Sequence, residues 1–304
     1  MSEFKRNLGK IPVVVDKMTA QAERELIRMY AASLKDIRAQ MAQIYAKYST
    51  AGSLTYADMA KYGRLESLLG EINAQLKGLT GKVGKDIKGL QADVYSEAYY
   101  RTAFAYELEA QAKLRYVLLN PKTIEASVQN PISGLTLNRR LQKQRADIIV
   151  KARAEITQGL IKGEGYDKVA RRLKGVLEDD LVKSRRIVQT ESHRNHMQGK
   201  LDADNHAADA GVKVSKIWVS TLDDSTREDH QDMDGQEADE DSMFHIGGDS
   251  ALAPGMFGVP EQDINCRCTY IEVIKGYEPS IRGVRDEGNI PYQTYKEWAE
   301  AKGI

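Results

Sequence analysis

Apolar residues recur along the first third of the chain at helical intervals. Leu26, Tyr30, Leu34, Ile37, Met41, Ile44 and Tyr48 step by threes and fours, which lays one apolar stripe along a helix predicted over 19–48. The run Ser49-Thr50-Ala51-Gly52-Ser53 breaks it. A second stripe follows at Tyr62, Leu65, Leu69, Ile72, Leu76, Leu79, Val83, Ile87, Leu90 and Val94, and aromatic residues carry the pattern on toward Tyr116. Two long helices joined by a short turn fold back as an antiparallel hairpin. Gly78, Gly81 and Gly84 each weaken the second helix by about 1 kcal/mol relative to alanine, so a bend or break is expected over 78–84. A hairpin this long buries little by itself, and the rest of the chain or a partner is expected to cover it.

Asn120-Pro121 and Asn130-Pro131 punctuate the chain on either side of a short helical piece over 123–128. They suggest a helical docking region over 1–120, a linker over 121–134 and a second domain over 135–275. That domain opens with a helix over 135–161, stopped by Gly163-Glu164-Gly165, and another over 166–176. Asp179-Asp180 offers a cap for a third helix running to about 210, where Gly211 ends it. Val214–Val219 and 268–274, rich in β-branched and aromatic residues, read as strands. Asp234-Gly235 and Gly247-Gly248 read as turns, and Pro254-Gly255 and Val259-Pro260 prevent a long helix between His245 and Ile264. A tail over 276–304 reads as loop apart from a helical stretch at 292–301. The fold class is mostly α, with a long N-terminal helical hairpin and a small C-terminal α+β module.

Charge changes this picture only locally. Lysines and arginines number 44 and acids 44, with 41% hydrophobic residues, enough to bury a core in two domains. The balance hides a polarity: 135–200 holds sixteen basic residues against eight acids, whereas 222–249 holds eleven acids and one base, Arg227. Arg139, Arg140, Lys143, Arg145, Arg171, Arg172, Lys174, Arg185 and Arg186 are therefore candidate phosphate contacts for DNA. The alternative is that they form the solvated side of their helices. The acidic stretch reads as a hydrated loop face. No apolar run approaches the roughly 20 residues that cross a bilayer, so no membrane partner is expected. The first residues also lack the apolar core of a secretion signal. Two cysteines in 304 residues fit a reducing compartment.

Candidate chemistry gathers late in the chain. Cys266 and Cys268, two apart on an extended segment, point to one side with Arg267 opposite. They read either as packed thiols or as ligands of a zinc site completed by His230 and by His245 or an aspartate; no other cofactor is expected. A disulfide between them would be strained. Trp218, Phe244, Pro260 and the two cysteines are candidates for a small core. Asp223 and Arg227, four apart near a helix start, can form an ion pair, and Asn265 suits a turn stabilised by its side chain. On the third helix, His193 and His196 at i, i+3 can chelate a metal or set a general base beside Glu191; the plainer reading is a semi-exposed polar face. HExxH, Gly-x-Ser-x-Gly and a glycine-rich phosphate loop are absent.

Taken in order, Thr190-Glu191, Trp218, Asp223, Arg227, His230, Asp234-Gly235, Phe244, Pro260 and Asn265-Cys266-Arg267-Cys268 resemble the C-terminal domain of phage head morphogenesis proteins of the phage Mu F type. The resemblance covers roughly 135–274, with Gln189-Thr190-Glu191 standing where such proteins often show Arg-Thr-Glu. It implies a minor head protein of a tailed phage, made in the host cytoplasm and carried in the capsid interior near the portal. Its implied partners are the portal protein, then scaffolding protein and double-stranded DNA. It also implies that the chain is not an enzyme. The competing reading from the residues is a metal-dependent nuclease using Asp223, His230 and Glu191.

Overall fold

The computed structural model describes residues 3–110, 113–116, 118–131, 134–274, 281–284, 288–291 and Glu297. Long helices dominate. In chain order they are α1 (Glu3–Leu8), α2 (Lys10–Tyr48), α3 (Tyr56–Ala60), α4 (Arg64–Ala110), α5 (Pro121–Gln129), α6 (Leu137–Ile161) and α7 (Tyr166–Asp209). Short elements follow: β1 (Val214–Val219), α8 (Glu228–Asp232), β2 (Phe244–Ile246), β3 (Asp249–Ala251), α9 (Pro260–Asp263) and β4 (Thr269–Ile274). The protein is thus mostly α, with long N-terminal helices and a small α+β module.

Two compact units interleave in sequence. One is Ala20–Lys88 with Leu135–Val188; the other is Met1–Thr19, Gly89–Gly134 and Gln189–Ile304. The division falls inside α2, α4 and α7, so it cuts across the linear scheme of a 1–120 region, a 121–134 linker and a 135–275 domain.

In the first unit the two apolar stripes become the facing sides of α2 and α4, except that Tyr62 lies exposed in the turn before α4 at φ +56°, and Gln75 donates to Asp36 between the helices at 2.7 Å. The rest of the chain supplies the cover. Leu141, Ile148 and Ile156 of α6 and Leu173 of α7 are buried with Leu26, Ile37, Met41, Ile72, Leu76 and Val83, each such side chain worth about 1.5–3 kcal/mol when fully buried. The expected turn after Tyr48 is present, with Ala51 and Gly52 both at positive φ.

Two expectations fail here. Helix α4 runs unbroken through 78–84, because Leu76, Leu79, Val83 and Ile87 on either side of the glycines are buried and outweigh their low propensity. Helix α7 is likewise one 44-residue helix, not two. Asp179 and Asp180 lie in its middle, where Asp180 accepts a hydrogen bond from the buried Tyr30 hydroxyl, itself 2.8 Å from Ser184 Oγ. Tertiary hydrogen bonding takes the place of the cap.

In the second unit, Phe4 of α1 packs on Tyr106 of α4 with ring centroids 5.1 Å apart, an N-terminal element that the hydrophobic pattern did not announce. Helices α4 and α7 meet so closely that a Cβ at Gly199 would stand 2.3 Å from the Tyr95 carbonyl oxygen. Strand β1 pairs antiparallel with β4, setting Trp218 opposite Tyr270 and Lys216 opposite Glu272. The Asp234-Gly235 turn, with Gly235 at φ +82°, returns the chain along the other edge of β1, where Trp218 N–H donates to Gln236 O at 2.8 Å. Within the tail expected to be loop, β5 (Ile281–Val284) and β6 (Gly288–Pro291) pair as an antiparallel hairpin. Of the helix expected over 292–301 only Glu297 is among the described residues, and it is helical. Among the described residues no helix is long and apolar enough to cross a membrane.

Candidate functional site

One face of α7 organises the module. Thr190, His193, Met197, Lys200 and Asp204 follow alternating intervals of three and four and so share a side of the helix. The two-residue period of an extended chain puts Cys266, Cys268, Tyr270 and Glu272 on one buried side, next to Lys216, Trp218 and Ser220. These faces meet residue by residue. Asn265 N–H donates to Thr190 Oγ1 at 3.2 Å. Gly255, at φ +75°, lies against the His193 ring, where a Cβ would approach to 2.8 Å. Met197 joins Trp218, Phe244, Tyr270 and both cysteines in one core cluster.

Further along α7 the contacts become ionic. Lys200 Nζ donates to the Tyr270 carbonyl, lies 4.0 Å from the centre of the Tyr270 ring and stands 3.0 Å from a Glu272 oxygen. The Tyr270 hydroxyl donates to Asp204 at 2.6 Å, and the Tyr106 hydroxyl donates to the other Asp204 oxygen at 3.1 Å. Burial, reinforced by Glu272, pushes the Asp204 carboxyl well above the usual aspartate range. Burial also draws Lys216 down to about 8. Desolvating charges is costly unless they are paired; here Lys200 pairs with Glu272, Lys216 donates to the Leu252 carbonyl, and Asp204 is met by the two tyrosine hydroxyls. Nothing in the sequence separates such a buried stripe from a wet one except that its helical and strand periods match face to face.

The neighbouring side of α7 is also dry and polar. Glu191, 1% exposed, accepts from Gln91 Nε2 at 2.7 Å and from Arg194 at 3.2 Å. Arg194 also donates to Ser127 O at 2.9 Å, and Ser127 Oγ donates to Asn195 at 2.8 Å. Of the semi-exposed histidine face, His193 is half-buried as expected while His196 is buried; desolvation lowers His193 to about 4 and holds His196 well below its ordinary value.

At the other end of the sheet lie His230, Cys266 and Cys268, whose ligand-capable atoms all fall within 4.8 Å of one another. His230 Nδ1 is 3.4 Å from Cys268 Sγ and 3.7 Å from Cys266 Sγ. Its Nε2 is 2.8 Å from Gln262 Oε1, and Gln262 Nε2 donates to Asp229 at 2.8 Å. Trp218 fixes the imidazole from the side, edge to face with centroids 5.5 Å apart. The Ser220 hydroxyl joins this packing by accepting from Trp218 Nε1 at 3.0 Å and donating to the His230 carbonyl. A small pocket lined by Thr221, Ser225, Thr226, Arg227 and Asn265 opens onto the three side chains.

The family model for phage Mu protein F like proteins matches residues 150–271. Minor head protein GP7 of Bacillus phage SPP1 is 35% identical over 302 residues, covering 98% of this chain and 98% of that protein. The chain belongs to the family of phage Mu F-type minor head proteins. It is therefore a virion component with a role in head morphogenesis. NAD(+)--arginine ADP-ribosyltransferase EFV of Enterococcus faecalis is 33% identical over 91% of this chain, a match that takes in 57% of that protein. No solved structure matches the chain.

Within this minor head protein the motif residues separate into structural parts. Thr190, Trp218, His230, Asp234, Gly235, Phe244, Asn265, Cys266 and Cys268 build the module described above, and Glu191 ties α7 to α4 and α5. Arg267 takes the place beside Asp223 that the spacing offered to Arg227. Asp223 sits in the turn before α8, accepting from Ser225 N–H at 3.1 Å, and its carboxylate is held by Arg267, one contact at 2.7 Å. Arg227 has extended backbone and donates to Ile264 O, so the helical i, i+4 geometry is unavailable. Pro260 is exposed at the first turn of α9, where its fixed φ starts the helix; it is not core. His245 is exposed and pairs with Asp239 at 2.6 Å, away from the cysteines. Asn265 supplies a left-handed φ of +57°, which asparagine tolerates. Sequence reasoning missed Gln262 and Asp229, whose only signal was being polar near a histidine.

The nine basic candidates all lie in the first unit. Arg139, Lys143, Arg171 and Arg186 are exposed; Arg140 and Arg145 are half-buried. Arg172 is committed to Glu164 and Glu155 at 2.9 and 3.0 Å, Lys174 to Glu178 at 3.3 Å and Arg185 to Glu23 at 2.7 Å.

Proposed function

We propose that this minor head protein associates with the portal protein during procapsid assembly, resides in the capsid interior near it, and contacts packaged DNA for retention or delivery on ejection. The observation that carries the reading is the end-to-end match to a minor head protein, 98% of each chain. The exposed cations of α6 and α7 supply sites for phosphate, and scaffolding protein is a further candidate partner during assembly.

We also propose that the chain is structural rather than catalytic. Glu191 is salt-bridged to Arg194, Asp223 is held by Arg267, and His230 faces Gln262 and the cysteines. The three nuclease candidates therefore serve three separate networks. The match to the ADP-ribosyltransferase leaves part of that protein without a counterpart in this chain.

Co-expression of the full chain with its cognate portal, followed by size-exclusion chromatography, tests the assignment. A stable co-eluting complex is the expected result. Failure to co-elute, together with normal incorporation into capsids assembled without portal, overturns it.

A further inference from the structure

We propose that His230 Nδ1, Cys266 Sγ and Cys268 Sγ bind one zinc ion, with a fourth coordination position opening onto the pocket beside Thr221, Ser225 and Asn265. The distances fit a tetrahedral centre. Zn–S bonds of about 2.3 Å and a Zn–N bond of about 2.0–2.1 Å at tetrahedral angles set nitrogen and sulfur about 3.5–3.6 Å apart. The two separations here, 3.4 and 3.7 Å, straddle that value.

Hydrogen bonding prepares the imidazole. Asp229 only accepts, so the Gln262 amide turns its NH2 toward Asp229 and its oxygen toward His230. His230 Nε2 must then carry the proton, which leaves the Nδ1 lone pair aimed at both sulfurs. A ligating histidine whose other N–H is held by an outer partner is the usual arrangement around a protein-bound metal. Cys266, Cys268 and His230 are 3%, 2% and 1% exposed, so the ion would lie in a dry site.

Loading exchanges thiol protons for the ion, and two thiolates balance its two positive charges. Sulfur donors select zinc over magnesium or calcium. The close Cys-x-Cys spacing serves because the intervening Arg267 faces outward to Asp223, leaving both sulfurs on one side. Three protein ligands over a pocket leave room for water or another small donor in the fourth place.

Elemental analysis of the full chain, purified without a histidine tag or chelator, tests the site. About one zinc per chain is expected, with loss in Cys266→Ser and Cys268→Ser and retention in Arg267→Ala. Gln262→Ala should weaken affinity by about 10–100-fold, the usual effect of removing an outer partner. Because the cysteine variants can fail to fold, the wild-type chain carries a second measurement. Cobalt(II) should produce thiolate-to-metal charge-transfer absorption, and chelation should lower the melting temperature in a way that zinc restores. A folded, metal-free chain that gives no such band with cobalt and no thermal shift with zinc overturns the proposal. So does a Cys266–Cys268 disulfide in the freshly purified protein. Neither result bears on portal association.

Discussion

Asp180 shows what a single buried carboxyl does to the pH dependence of this fold. Burial raises its pKa above the ordinary aspartate value, while the Tyr30 hydroxyl and nearby lysines draw it part of the way back. Between the ordinary and the raised value the folded chain holds a proton that the unfolded chain has released. Stability therefore falls as pH rises through that window, and the penalty is complete above it. Each unit of elevation is worth about 1.4 kcal/mol. Asp180→Asn keeps an acceptor for Tyr30 and removes the charge. It is expected to be more stable than wild type in urea at neutral pH, with the difference vanishing as pH falls toward the ordinary aspartate value. A variant less stable at neutral pH would show that the ionised carboxylate is a net benefit to the folded state.

At the scale of elements, α7 sets one glycine against another. Gly199 lies where a Cβ would reach 2.3 Å from the Tyr95 carbonyl oxygen, whereas a Cβ at Gly175 meets nothing within 4 Å. Alanine gains about 1 kcal/mol of helix propensity at either position, but backbone cannot yield as a flexible side chain can, and overpacking costs about 1–3 kcal/mol. Gly199→Ala should lower the melting temperature and Gly175→Ala should raise it. The same sign in both would mean that α4 and α7 adjust their spacing freely. The contrast also explains what was readable beforehand. The stripes at 26–48 and 62–94 mark α2 and α4 because apolar side chains at helical spacing have one economical place to go. Glycines and the Asp179-Asp180 pair misled because burial overrode local propensity. The cysteine–histidine cluster was legible from ligand chemistry alone, since few residues suit that role. Lys200, Asp204, Lys216 and Glu272 were not, because an ionisable group that is buried among partners has the same letter as one in water. Asp223 and Arg227 misled for a geometric reason: their spacing was helical while their backbone is not.

For the whole molecule, the proposed attraction to DNA has to be local. The formal net charge is zero, so there is no general field to draw in a polyanion, and beyond a Debye length of about 8 Å at physiological salt any patch is screened. Arg172, Lys174 and Arg185 are already compensated by acids, which lowers the number of counterions that binding can release. If the exposed Arg139, Lys143, Arg171 and Arg186 each meet one phosphate, log K should fall with log salt with a slope of about −3.6, roughly a 150-fold loss between 50 and 200 mM. Arg139→Gln with Lys143→Gln should reduce the slope by about 2 without altering sequence preference. Fluorescence anisotropy with a duplex across that salt range reads both quantities. A flat response would leave these residues as the solvated side of their helices and take DNA contact away from this surface, while the portal association would stand or fall on its own experiment.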